Sequence, residues 1–230
     1  MSGFDKFAGD YKSVVDETVA WAGDDLLYYA EYKAKYIAQV LGRTFSGKAL
    51  DFGCGIGLLS RLLKRLLPSL AVDGFDVSTS SLLQVDPELR AQGVFTSHRG
   101  DLDHDYDLII AANVLHHVLP QARQEMLRGI HERLAPVGHL FVFEHNPLNP
   151  LTRVVVSRCP LDQEAVLLRA DECTAWVAGA GLHVVRRDYI VFFPRVLSRL
   201  RPLEPWLGWL PLGAQYVVHG TRRVLEPRDE

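Results

Sequence analysis

Lys48-Ala49-Leu50-Asp51-Phe52-Gly53-Cys54-Gly55-Ile56-Gly57-Leu58-Leu59-Ser60-Arg61-Leu62-Leu63 is the stretch that decides the fold. Residues 48–52 form a short apolar run, three alternating glycines follow, and 58–67 is leucine-rich with interspersed basic residues, so the order is strand, tight turn, helix. Glycine in such a turn permits positive φ and lets a ligand approach the backbone, while the helix that follows offers unpaired amide donors at its N-terminus. The geometry suits a nucleotide-like ligand. A dinucleotide fingerprint would place its third glycine three residues after the second, and that position holds Leu58. Here the glycines are Gly53, Gly55 and Gly57, with Asp51 two positions ahead of the first.

Working outward, apolar and aromatic residues recur at three- and four-residue steps within 4–41, among them Tyr28, Tyr29, Tyr32, Tyr36, Ile37 and Val40, which predicts a helix ended by Gly42. Downstream, Pro68 stops the helix after the turn and 70–75 predicts a strand that ends at Asp76. The alternation continues through a helix at 80–84, a strand at 94–98, an aspartate-rich loop at 101–107 and a strong strand at 108–112. Next come a helix at 121–134, closed by Pro136 and Gly138, and a strand at 139–144. Strands and helices alternating at this spacing imply an α/β fold, a parallel sheet covered on both faces. After Glu144 the rhythm breaks. The segment 146–169 has three prolines and no clean period, and reads as a long excursion near the active edge of the sheet. A helix at 171–180 and a strand at 182–191 resume the fold; a second excursion, 192–213, precedes a last strand at 214–221 and a polar tail at 226–230.

At 230 residues and 48% hydrophobic composition the chain can bury a substantial core, and a single domain over 1–230 is expected, with 1–45 as a helical lid and 146–170 and 192–213 as insertions on the substrate side. Cys54, Cys159 and Cys173 lack the paired spacing of a zinc or redox motif and read as reduced thiols. The N-terminus carries acidic residues and does not resemble a secretory signal, and no window approaches the roughly 18 uncharged apolar residues of a membrane span, so a soluble, cytoplasmic protein is expected. The net charge is −3, and residues 1–150 hold 14 basic against 19 acidic side chains, which disfavours a nucleic-acid partner.

The arrangement of Asp51, Gly53, Gly55 and Gly57 resembles the first motif of class I S-adenosylmethionine-dependent methyltransferases. The likeness continues at Gly74-Phe75-Asp76-Val77-Ser78, where that family keeps an acid for the ribose hydroxyls, at Gly100-Asp101-Leu102, whose acid receives the adenine amino group, and at Asn113-Val114-Leu115-His116-His117-Val118 after the fourth strand. The resemblance covers about 4–191. It implies a Rossmann-like, seven-stranded, mostly parallel sheet of order 3-2-1-4-5-7-6 with the last strand antiparallel, and S-adenosyl-L-methionine as cofactor. It places Asp51, Gly53, Cys54, Gly55 and Gly57 at the methionine part, Asp76, Val77 and Ser78 at the ribose, Asp101 and Leu102 at the adenine, and Asn113 beside the sulfonium. Tyr11 is the lid residue it suggests.

Methyl transfer requires alignment above all, because the leaving group is neutral and the methyl carbon already electrophilic. An oxygen acceptor of high pKa would also want a base, and histidine is the side chain suited to neutral pH. His116, His117 and His145 lie just beyond the fourth and fifth strands, where open α/β sheets bind ligands. His116 and His145 are taken as catalytic candidates and His117 as a packing residue. The adjacent histidines invite a metal, but no third ligand is placed by spacing, so none is expected.

Arg153 and Arg158 in the first excursion are candidates for a substrate phosphate or carboxylate. The second excursion puts Arg195, Arg199 and Arg201 ahead of Trp206 and Trp209 among leucines. That mixture suits peripheral contact with the inner membrane face through 194–212, a homodimer contact, or a cap over the site. The expected function is methylation of a small-molecule, sugar or lipid-linked acceptor at oxygen or nitrogen. A non-catalytic cofactor-binding partner or sensor, and an RNA methyltransferase, are the alternatives.

Overall fold

The computed structural model describes residues 26–222. Helix α1, Leu26–Leu41, buries Ala30, Ala34, Ile37 and Ala38 at helical spacing and ends at Gly42, whose φ of 87° a side chain would resist. Strand β1, Gly47–Phe52, runs into the glycine turn and helix α2, Leu58–Leu66. Then follow β2, Leu70–Phe75, the short helices α3, Thr79–Leu82, and α4, Pro87–Gln92, and β3, Phe95–Thr96. Strand β4 is Tyr106–Ala112, α5 is Pro120–Arg133 and β5 is Leu134–His145. Helices α6, Pro150–Arg158, and α7, Ala170–Gly179, precede β6, His183–Ile190, and β7, Gln215–Thr221.

The seven strands lie in the order β3-β2-β1-β4-β5-β7-β6, with β7 antiparallel to both β5 and β6 and the other pairs parallel. Because β1, β2, β4 and β5 point the same way, their carboxyl ends open on one edge, and β1 joins β2 on one side and β4 on the other. The order therefore reverses at β1, and a ligand crevice forms at such a switch. Two cores flank the sheet. On one face Ile37, Leu59, Leu63, Phe141 and Phe143 pack beneath α1 and α2; on the other Ile109, Leu127, Ile130, Val142 and Val177 pack beneath α5 and α7.

Three local differences from the sequence reading have physical causes. The single helix expected at 80–84 is two short ones, because Asp86 accepts the Glu88 amide at 2.9 Å and Pro87 starts a new helix. Strand β3 is only two residues, since the Thr96 hydroxyl accepts the His98 amide at 3.0 Å and turns the chain away. Strand β5 begins at Leu134, which pairs with Tyr106; Val137 then takes a left-handed φ of 62° and the register shifts before regular pairing from His139. The first excursion holds helix α6, started by Asn149, whose Oδ1 accepts the Thr152 amide at 3.1 Å ahead of Pro150 at the first helical position. Among the described residues no helix is long and apolar enough to cross a membrane.

Candidate functional site

A cavity of about 420 Å³ opens at the carboxyl ends of β1, β2, β4 and β5. One end is the glycine turn. Gly53, Gly55 and Gly57 adopt φ of 84°, 53° and 73°. A Cβ on Gly53 would sit 2.4 Å from Val114 Cγ2, whereas one on Gly55 would meet nothing within 4 Å and would point into open space. Gly53 is thus glycine for packing, and Gly55 leaves its backbone accessible.

Two acids frame the turn. Asp76 Oδ2 accepts the Gly55 amide at 2.7 Å and its Oδ1 accepts the Ser78 amide at 2.8 Å. Asp51 is buried and accepts the Ser60 hydroxyl at 2.7 Å. Burial raises its carboxyl to about 6, with Ser60 opposing and the Asp76 charge adding to the rise. Lys33 of α1 reaches the same cavity from above, and burial lowers its ammonium to about 8 against the pull of Glu144 and Asp51.

At the end of β4 the chain turns through Asn113 at a left-handed φ of 59°, its amide donating to the Phe143 carbonyl at 2.8 Å. Its side chain lines the cavity with a buried Oδ1 that has no hydrogen-bond partner among the described residues. An orphaned buried acceptor is rare and costly unless a ligand donor satisfies it. The tight helical turn Leu115–His117 follows. Glu144, the fully buried last acid of β5, fastens that turn: its Oε1 accepts the amides of Val114 at 3.0 Å and Leu115 at 2.6 Å, and its Oε2 lies 2.5 Å from His116 Nδ1.

Four side chains converge beyond Glu144. The ring centroids of His116 lie 4.1 Å from those of His117 and 5.1 Å from those of His145, and Asp162 Oδ1 lies 3.4 Å from His116 Nε2 and 3.3 Å from His117 Nε2. Burial alone would lower the His116 imidazolium, but the charges of Glu144 and Asp162 outweigh it and raise the ring to about 9. Burial, with His116 charged beside them, lowers both His117 and His145 to about 4.

The structure therefore brings Asp51, Gly53, Cys54, Gly55, Asp76, Val77, Asn113, His116 and His145 to one cavity. It does not bring the others there. Gly57 sits behind the wall against Val85, and Ser78 is buried beneath it as the cap of α3 that holds Asp76. Leu102 packs in the core, and Asp101 is exposed with its carboxylate accepting the Thr96 hydroxyl at 2.7 Å. In that corner Arg99 lines the cavity instead, its guanidinium 5.5 Å from the Phe52 ring and 5.6 Å from that of Phe75. Arg153 and Arg158 are exposed on the outer side of α6, whose inner side gives Thr152 and Val155 to the cavity. Tyr11 lies outside the described residues.

Sequence reasoning missed Lys33, Glu144 and Asp162, and took His117 for packing. Lys33 carries a readable signal, a lysine midway between Tyr29 and Ile37 on the apolar stripe of a helix. Glu144 carries another, an acid closing an all-apolar strand. Asp162 has none, because it sits in the irregular turn Pro160–Asp162 and meets the histidines only through the fold. It supplies the third group whose absence from the spacing argued against a metal.

The second excursion does not cap the cavity with its tryptophans: Trp206 is 71% and Trp209 74% exposed, while Phe192 and Pro194 form the rim. It is anchored from below. Glu204 Oε1 accepts the Phe192 and Phe193 amides, each at 3.0 Å, and Arg201 stacks on Tyr28 of α1 with its guanidinium 3.9 Å from the ring centroid.

Residues 50–140 match a family model described as a methyltransferase domain. Among curated proteins, the ribosomal RNA small subunit methyltransferase C of Pseudomonas entomophila is 30% identical over 130 residues, covering 52% of this chain and 39% of the relative. The ubiquinone biosynthesis O-methyltransferase of Photorhabdus laumondii is 31% identical over 117 residues, covering 47% of each. The alignments thus span less than half the length of either relative. Among solved structures, an S-adenosylmethionine-dependent methyltransferase of Archaeoglobus fulgidus superposes with a TM-score of 0.69 at 11% identity, over 93% of this chain and 100% of that one.

Proposed function

We propose that this chain is a class I S-adenosylmethionine-dependent methyltransferase, supported by the match of residues 50–140 to a methyltransferase domain and by the shared fold, and that it methylates an oxygen or nitrogen of a small-molecule, sugar or lipid-linked acceptor. The observation that carries the reading is one cavity joining the glycine turn, Asp76 and the orphaned Asn113 Oδ1 to the Glu144-held His116. S-adenosylmethionine, when bound, supplies a methyl carbon made electrophilic by its sulfonium. Asp76 can accept from both ribose hydroxyls, Asp51 suits the amino group of the methionine end, and Gly53 and Gly55 leave room for it. Asn113 Oδ1 faces the middle of the cavity, beside which the acceptor enters. His145 stands where the acceptor's proton would leave, beside His116 held by Glu144.

Calorimetry with S-adenosylhomocysteine and with a nicotinamide nucleotide tests the donor half. The first should bind and the second should not; tight binding of the nicotinamide nucleotide alone would end the reading. Asp76→Ala should lose most of the S-adenosylhomocysteine affinity while still unfolding cooperatively, at a temperature lowered by loss of the bonds to the Gly55 and Ser78 amides. Transfer of labelled methyl to an acceptor separates an enzyme from a non-catalytic cofactor-binding partner.

Two features bear on the acceptor. The outer surface favours the lipid-linked class: Val196 is 86% exposed, Trp206, Trp209 and Leu212 are exposed in the same excursion, and the exposed Leu151 lines the cavity. An RNA acceptor has the ribosomal RNA relative in its favour. Against it stands the acidic balance of residues 1–150, since phosphate contacts dominate nucleic-acid affinity.

A further inference from the structure

We propose that His116, His117 and Asp162 bind one divalent transition-metal ion at the acceptor end of the cavity. One potential ligand atom from each of His116, His117 and Asp162 lies within 4.8 Å of the other two, and Asp162 Oδ1 faces the Nε2 atoms of both rings. The separations from Asp162 Oδ1, 3.4 Å and 3.3 Å, exceed the roughly 2.7–3.2 Å of an N–H···O hydrogen bond. They match the edge of a coordination tetrahedron: with bonds of about 2.0–2.1 Å, neighbouring ligands are about 3.3 Å apart.

Two further observations point to a ligand. His116 is only 1% exposed, yet its Nε2 makes no hydrogen bond of good geometry among the described residues and has only Asp162 Oδ1 facing it, at 3.4 Å. A buried ring nitrogen left orphaned is costly, and coordination removes that cost. Its other nitrogen is held 2.5 Å from Glu144 Oε2, and Glu144 is itself fixed by two backbone amides. When Nδ1–H donates to that carboxylate, the neutral ring carries its lone pair on Nε2, which is the carboxylate–histidine–metal arrangement of metal sites. Backbone geometry completes the set: the tight turn Leu115–His117 lets two consecutive histidines reach the same point.

Two imidazoles and one carboxylate with an open position toward the cavity are the donor set of a catalytic zinc site, and also suit iron(II) or cobalt(II). The consequence for catalysis rests on the methyl-transfer reading; the site itself does not. An acceptor hydroxyl bound at the open position releases its proton more readily. His116 being engaged, His145 is left to take that proton. The oxygen lone pair then forms the bond to the methyl carbon, and the carbon–sulfur bond breaks with its electron pair staying on sulfur.

The test is a titration of chelator-treated protein with Co2+, followed by visible absorption. One equivalent should produce the intense bands of four-coordinate cobalt, and Zn2+ should abolish them. Asp162→Asn and His117→Ala should each lose the bands, and Glu144→Gln should bind Co2+ about 10- to 100-fold more weakly. S-adenosylhomocysteine binding, measured on the same samples, reports that each variant is folded. Absence of the bands in the wild-type protein, or unchanged Co2+ affinity in folded Asp162→Asn and His117→Ala proteins, overturns the proposal. Cobalt bands without S-adenosylhomocysteine binding would leave the metal site standing and remove the methyltransferase reading instead.

Discussion

Asp51 shows how a single buried carboxyl can couple ligand and proton. Burial raises it from 3.8 to about 6, so between those values the folded chain holds a proton that the unfolded chain has released. Its contribution to stability is therefore greatest at low pH and falls as pH rises through that window. On the proposed contact with the cofactor's amino group, ligand binding has the opposite sign, because a positively charged amino group favours the ionised form. S-adenosylhomocysteine affinity should be flat above neutrality and fall by up to about tenfold per pH unit below 6. Calorimetry from pH 5 to 8 checks this; a flat profile would mean that Asp51 faces no charge on the ligand. At this scale Asp51, Gly53, Gly55 and Asp76 were legible as cavity residues from the strand–turn–helix pattern, whereas Gly57, Ser78, Asp101 and Leu102 fall outside the cavity lining. Asp162 was not legible, because no local pattern states which irregular turn will fold onto two histidines.

Helix α6 illustrates what periodicity hides. Its apolar Leu151 and Val154 are 54% and 39% exposed, Leu151 where it lines the cavity, while the polar Thr152 is buried, so an apolar-stripe reading finds no period. The start signal was nevertheless present, an asparagine cap directly before a proline, and the same signal, Asp86-Pro87, marks α4. Caps persist where burial patterns are inverted, because they answer to unpaired backbone amides rather than to the core. Asn149 also donates from Nδ2 to the Leu212 carbonyl at 2.7 Å, and Asn146 Nδ2 donates to the Gly213 carbonyl at 2.8 Å. The two excursions are thus bonded to each other. Asn149→Ala should destabilise the protein by about 1 kcal/mol, the ordinary value of such a cap, with an added loss from the bond to Leu212. Thermal unfolding measures it, and an unchanged midpoint would show that neither bond matters.

Across the whole molecule, the strand order was readable through the resemblance, but which surface the excursions turn outward was not. An amphiphilic loop rich in tryptophan, arginine and proline fits a cap, a dimer contact or a bilayer equally until its burial is known. With Trp206 and Trp209 outermost, the wild-type chain should co-sediment with anionic vesicles. A Trp206→Ala, Trp209→Ala double variant should remain in the supernatant, and equal recovery of both proteins would exclude the bilayer.

The sheet also divides labour along its width. Strands β1 and β2 carry the groups suited to the methyl donor, β5 and β7 carry the two excursions at their ends, and β4 lies between them with the left-handed Asn113. On the proposed methyl-transfer reading, such a seam lets the loops of the acceptor half be lengthened, shortened or exchanged without disturbing the donor half, so that specificity becomes a replaceable cassette.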